Sequence, residues 1–220
     1  MDFQFRLYHF SAFILLTAAL IAFLVCIYGV LFMQARPWAH WFYLYLLLTL
    51  SFTNGAILAD NLLVLLFFWE SLLLAQFGFI AIGGPKAFHA AAKAFIVSNV
   101  ANLCLLLGVA LTAYLAKTMT LSQIHLPLNT PGTVAFVLIT IGALAKAGAM
   151  PFHTWIPDSA LSAPPPFTAL VSSALEKLLG MYLLARLTLD LFPLDPTSSM
   201  STLLMILGAL TIVLAGVMAL

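Results

Sequence analysis

Residues 133–157 read TVAFVLITIGALAKAGAMPFHTWIP, an apolar stretch with Lys146 near its middle, Pro151 interrupting it and Pro157-Asp158 at its end. A bilayer takes roughly 20 consecutive apolar residues to cross, so the stretch is long enough. A proline inside a helix removes a backbone hydrogen bond and crowds the preceding turn, so this span cannot be one regular helix. The expected object is a membrane helix broken close to a buried lysine.

On either side of this stretch the chain repeats the theme. Upstream, apolar runs cover 10–33, 38–58, 61–82 and about 91–116; downstream they cover 167–189 and 202–220. With the broken helix this makes about seven spans. Ala59-Asp60 is the whole connection between the second and third, which makes them an antiparallel hairpin. Gly83-Gly84-Pro85 breaks the chain before the fourth, with Lys86 and His89 at the surface, and 117–132 is a polar loop. Ser162-Ala163-Pro164-Pro165-Pro166 leads into the sixth, since proline is tolerated in a first helical turn.

Composition agrees, with 64% of the 220 residues hydrophobic, 7% charged and a mean hydropathy of +1.15. No soluble domain has this profile. The fold class is all-α integral membrane, one polytopic domain over 1–220. A net charge of +1 excludes a nucleic-acid partner, which needs clustered Lys and Arg. Cys26 and Cys104 stand alone in apolar runs, without the spacing of a metal or iron-sulfur site, and read as packing residues. The N-terminal segment carries Asp2, Arg6 and His9, and the run that follows is too long for a signal peptide. Alternate loops place Arg6, Lys117 and Arg186 on one side and Arg36, Lys86 and Lys93 on the other, so the positive charges set no orientation.

The charges inside spans carry the functional information. Glu70 lies near the middle of the third span, Lys146 in the broken one, and Glu176 with Lys177 near the middle of the sixth. Each costs roughly 2.5–3.5 kcal/mol at a helix centre, so the set opposes insertion by something on the order of 10 kcal/mol. Two readings compete. Static ion pairs would hold helices together, but intramembrane polar bonds average only about 0.6 kcal/mol. A proton path would pass charge between carboxylates and lysines in a protein-lined interior. Asn99, Asn102, Gln76, Thr168, Ser172 and Ser173 either bind water along such a path or join helices. Lys93 is able to reach the interface from the start of the fourth span, and His153, just past Pro151, suits either a relay or a cap on free carbonyls.

Lys146-Ala147-Gly148-Ala149-Met150-Pro151-Phe152-His153-Thr154-Trp155-Ile156-Pro157-Asp158 resembles the broken-helix signature of the antiporter-like, proton-conducting subunits of respiratory complex I. The same signature is shared by membrane-bound energy-converting hydrogenases and multi-subunit sodium/proton antiporters. Ala59-Asp60-Asn61-Leu62 leading to Phe68-Trp69-Glu70 matches in the expected order, as does Glu176-Lys177-Leu178-Leu179-Gly180-Met181-Tyr182-Leu183-Leu184-Ala185-Arg186. The resemblance implies one antiporter-like five-helix repeat over 38–189, with flanking helices 10–33 and 202–220. It also implies conducting roles for Glu70, Lys146 and Lys177, with Lys93, His153 and Glu176 of lower rank. Where one branch of the family carries a histidine, the position here is Val171, so the chain is nearer the lysine-bearing branches.

Family members are about twice this length and carry two inverted repeats, so a fragment, or a split subunit completed by a chain with the second repeat, is expected. The implied function is proton translocation within a redox-driven complex such as an NADH:quinone oxidoreductase, with no cofactor, metal or redox centre in this chain and other membrane subunits as partners. A cation/proton antiporter subunit, with sodium as a further ion, and a purely structural membrane subunit are the alternatives. The implied location is a bacterial inner membrane. The expected switch is an ion pair between Glu70 and Lys146: a paired ammonium keeps its proton, and an unpaired one in a dry site gives it up. Lys177 is the expected next acceptor, while Glu176, about 100° away around the helix, is expected to point elsewhere.

Overall fold

The computed structural model describes residues 4–34 and 36–218. Among the described residues eight helices succeed one another: α1 (His9–Phe32), α2 (Ala39–Leu58), α3 (Leu62–Ala81), α4 (Pro85–Ala116), α5 (Thr130–Ala147), α6 (Trp155–Ser162), α7 (Pro165–Leu191) and α8 (Ser199–Met218). Counting α5 to α6 as one interrupted span, seven segments are long and apolar enough to cross a membrane. The protein is a multi-pass membrane protein of all-α class.

The helices pack as neighbours in sequence: α2 on α3, α3 on α4, α4 on α5, and α5 on α7. The half-helix α6 leans on α4, and α1 closes the side between α2 and α7. The buried residues of α1, namely Ser11, Ile14, Ala18, Ala22, Val25 and Gly29, recur every three or four positions. They form one narrow inward stripe, and the other faces suit lipid. Among its described residues α8 buries none, so it lies along the outside.

At one end of the bundle the connections lock together. Arg6 N donates to the Leu58 carbonyl at 2.8 Å, Leu62 N to that of Met119 at 2.9 Å, and Leu126 N to that of Leu191 at 2.8 Å. Asp60 accepts from the Ser122 backbone at 2.9 Å and its hydroxyl at 2.7 Å, which fixes the α2–α3 turn to the 117–129 loop. Helix starts follow local chemistry: Asn61 accepts from Leu63 N, and Asn129 from Gly132 N, each at 2.9 Å.

Three boundaries and the regularity of one helix differ from expectation, each for a local reason. Helix α4 begins at Pro85, not near Ala91, because Gly84 adopts φ +101° and proline fits a first turn. The break after α5 contains Pro151, as expected, but opens at Gly148: Gly148 takes φ +75°, and the amides of Gly148 and Ala149 close back on Ala145 and Leu144. Pro157-Asp158 does not end the span; it occupies the first turn of α6, where proline costs no hydrogen bond, and the helix continues to Ser162. Helix α7 is not regular: Thr168–Leu175 and Leu187–Leu191 are π-helical, wider turns enclosing the regular segment Glu176–Arg186. Of the last expected run, residues 219–220 lie outside the described residues, as does Asp2.

Close approach of α7 to α5 depends on Gly180, where an added Cβ would stand 2.6 Å from the Ala143 carbonyl oxygen and the Ala147 nitrogen. Gly180→Ala should therefore push the helices apart and destabilise the protein by about 1–3 kcal/mol. Thermal unfolding in detergent should show a lower midpoint for that variant. Gly208→Ala on α8, whose Cβ would meet nothing within 4 Å, should leave the midpoint in place.

Candidate functional site

Three helices bring charges to one buried locus. Lys146 sits in the last turn of α5, directly before the break, with its side chain 3% exposed. Its ammonium lies 3.7 Å from Glu176 Oε1 on α7, itself 2% exposed. At that distance the two attract but do not hydrogen-bond. The other side of the ammonium faces the Trp69 ring on α3, 5.3 Å from its centroid. Gln76, one helical face along on α3, donates from Nε2 to Glu176 Oε2 at 3.3 Å.

Glu70 is placed differently from expectation. It is half-buried on α3 and accepts from Asn102 Nδ2 on α4 at 3.1 Å. The Asn102 oxygen in turn accepts from Trp69 Nε1 at 3.0 Å. The expected Glu70–Lys146 pair is therefore replaced by Lys146–Glu176, although Glu70 still lies close enough to act on Lys146 electrostatically. The π-helical segment ahead of Glu176 widens the turns of α7.

Lys177 points the other way, as the 100° offset from Glu176 requires. Its ammonium donates to the Ser172 carbonyl at 2.6 Å and stands against the break, 3.6 Å from where a Gly148 Cβ would be. With His153 it lines a cavity of about 590 Å³ whose other wall is α8. The His153 Nδ1 is buried without a protein partner. Lys93 is not in the interior: it forms an exposed ion pair with Asp158 at 2.6 Å, tying α4 to α6. Surface pairs of this kind stabilise by well under 1 kcal/mol.

The polar neighbours divide. Gln76, Asn102 and Ser172 are buried, and Gln76 Oε1 and the Thr140, Thr168 and Ser172 hydroxyls have no protein partner. Asn99 and Ser173 are exposed and outside the site. Buried polar atoms need partners, and water supplies them where protein does not.

A second cluster escaped the sequence reading, which had given Arg186 to a loop. Arg186 is 6% exposed and donates to the Tyr8 and Tyr182 hydroxyls at 2.7 and 3.1 Å. It pairs with Asp190 at 2.6 Å and lies over the Tyr8 ring. The Tyr182 hydroxyl also donates to the Ile57 carbonyl at 2.7 Å. Burial, followed by the Tyr182 hydroxyl, pushes the Tyr8 phenol above its usual range. The available signal was the spacing of Tyr182, Arg186 and Asp190 at successive i,i+4 positions, which stacks them on one helix face.

The sequence profile of a family described as NADH:quinone oxidoreductase/Mrp antiporter, transmembrane, matches residues 59–220. Na(+)/H(+) antiporter subunit A1 of Staphylococcus saprophyticus is 31% identical over 172 residues, 75% of this chain and 21% of that protein. The subunit A1 of Staphylococcus haemolyticus is 33% identical over 175 residues, with the same coverage of each. This chain thus spans about a fifth of the length of these relatives. Among solved structures, the Mrp complex from Dietzia sp. DQ12-45-1b superposes with a TM-score of 0.73 at 26% identity, over 85% of this chain and 36% of that one. The membrane-bound sulfane sulfur reductase, an archaeal respiratory membrane complex, superposes with a TM-score of 0.81 at 25% identity, over 94% and 43%.

Replacing the Tyr182 hydroxyl removes an acceptor from a buried guanidinium. Tyr182→Phe should destabilise the protein by about 1–3 kcal/mol, read as a lower unfolding midpoint. Tyr114→Phe, on a side chain 78% exposed, should have no effect.

Proposed function

This chain belongs to the NADH:quinone oxidoreductase/Mrp antiporter transmembrane family, and from that membership we propose that it translocates protons as one membrane subunit of a larger complex. The single observation that supports this most is Lys146, an ammonium on a side chain only 3% exposed, at a helix break with a carboxylate 3.7 Å away. A static strut gains little from such an arrangement, since membrane polar contacts stabilise weakly. A proton carrier needs it, because a lysine in a dry site changes its hold on the proton with the distance of its counter-ion.

In this reading protons enter the interior on the Glu70 and Asn102 side and rest on Lys146. They leave past the break towards Lys177 and His153. The Gly148–Pro151 break leaves room for the α5 end to move without unwinding the helix behind it. Glu70, Lys146 and Lys177 are the conducting groups, and Lys93 with Asp158 holds α6 in place. The chain binds no cofactor of its own; electron transfer belongs to partner subunits, and another chain or segment supplies a second five-helix repeat. The location is a bacterial inner membrane.

The redox-driven form of this function is favoured by the overlap with the archaeal respiratory complex, over 94% of this chain. The second reading, cation/proton antiport with sodium as counter-ion, has its own support in the subunit A1 relatives at 31–33% identity. Co-purification separates the two: iron-sulfur or flavin subunits accompany a redox pump, and only membrane subunits accompany an antiporter.

Lys146→Ala should abolish proton translocation by the assembled complex while the subunit stays inserted. Lys146→Arg should fail as well, because a guanidinium does not release its proton in a protein. Translocation into sealed vesicles, normalised to the amount of subunit present, is the measurement. Near-wild-type transport by Lys146→Arg would reduce the ion pair to a structural contact.

A further inference from the structure

We propose that Glu176 on α7, and not Glu70 on α3, is the carboxylate that exchanges a proton with Lys146, and that Gln76 is the positioning residue for that exchange. This rests on the reading of Lys146 as a proton carrier and names its partner.

The two candidate carboxylates differ in what their oxygens are doing. Glu70 is half-buried, and its Oε2 is already held by Asn102, which Trp69 orients in turn. Glu176 is fully enclosed and nearer: Oε2 is held by Gln76, while Oε1 has no hydrogen bond and faces the Lys146 ammonium at 3.7 Å. One oxygen fixes the carboxylate, and the other is free to take a proton. The ammonium is matched to it, since Lys146 Nζ also lacks a hydrogen-bond partner.

The step balances simply. An N–H bond of Lys146 breaks as an O–H bond forms at Glu176 Oε1, and an ammonium–carboxylate pair becomes a neutral amine and carboxylic acid. The side chains need to close by roughly half an ångström to reach hydrogen-bond distance. Taking both charges of the starting pair out of water is costly, so the neutral pair lies within energetic reach of the charged one. Gln76 suits both states: its Nε2 donates to Oε2, which stays an acceptor whether or not Oε1 carries the proton. The other charges acting here are Lys177, on the same helix as Glu176, and Glu70, which acts on Lys146 from α3.

The test is proton translocation and its pH profile in vesicles holding the assembled complex, for Glu176→Gln, Glu176→Asp, Gln76→Leu and Glu70→Gln, each normalised to inserted subunit. Glu176→Gln should lower the rate about a hundredfold, the loss expected when a positioned proton-transfer group is removed. Glu176→Asp keeps the charge on a shorter arm and should assemble, run slowly and show a displaced pH profile. Gln76→Leu should displace the profile with a smaller loss of rate, and Glu70→Gln should retain more activity than Glu176→Gln. If Glu70→Gln abolishes transport while Glu176→Gln and Glu176→Asp run at the wild-type rate with an unmoved profile, Glu176 is a spectator and the inference is wrong. That result leaves the role of Lys146 intact, whereas wild-type transport by Lys146→Arg removes both.

Discussion

The structure turns on one electrostatic constraint: an ammonium enclosed by three helices needs a counter-charge, and the only fully buried carboxylate within reach among the described residues is Glu176. Taking both charges out of water costs several kcal/mol apiece, and their mutual attraction offsets that only with good geometry. Here the geometry is incomplete, with a 3.7 Å separation and no hydrogen bond on either reacting atom. A pair held in that way is poor glue.

The backbone is built around the same locus. Helix α5 stops one residue past Lys146 because Gly148 takes a positive φ that ends the helix, and the chain restarts only at Trp155. Helix α7 carries π-helical turns on both sides of the segment that holds Glu176 and Lys177. Such turns recur at functional sites because they redirect side chains without ending the helix. Gly180 lets α7 approach α5 closely enough for the pair to form at all. The opposite end of α7 is anchored by Arg186, two tyrosine hydroxyls and Asp190. Any movement at the Lys146 end then takes place against a fixed support.

Much of this was legible in the sequence. The spans follow from apolar run lengths, and the broken helix from Pro151 and the residues around it. Lys146 is conspicuous because a charge there is costly. What the sequence hid was orientation around each helix. Pro151 marks the break but not where it opens, which is three residues earlier at Gly148, whose conformational freedom decides where the helix ends. Glu176 and Lys177 both lie in the regular segment, so their separation of about 100° holds, but that separation does not say which of the two faces Lys146. The resemblance drew attention to Lys146, while its expected pairing with Glu70 is replaced by a pairing with Glu176. Arg186 was taken for a loop charge because a cation near the end of an apolar run usually lies at the interface, and its tyrosine partner Tyr8 comes from the other end of the chain.

The central claim is that the proton of the buried pair moves, and infrared difference spectroscopy of the assembled complex, resting against turning over, reads that movement directly. A band of a protonated carboxyl should appear or vanish with turnover, shift when the solvent is deuterated, and be absent from Glu176→Gln and Lys146→Met. A spectrum in which no carboxyl changes its protonation, or in which the same band persists in both variants, would contradict the account.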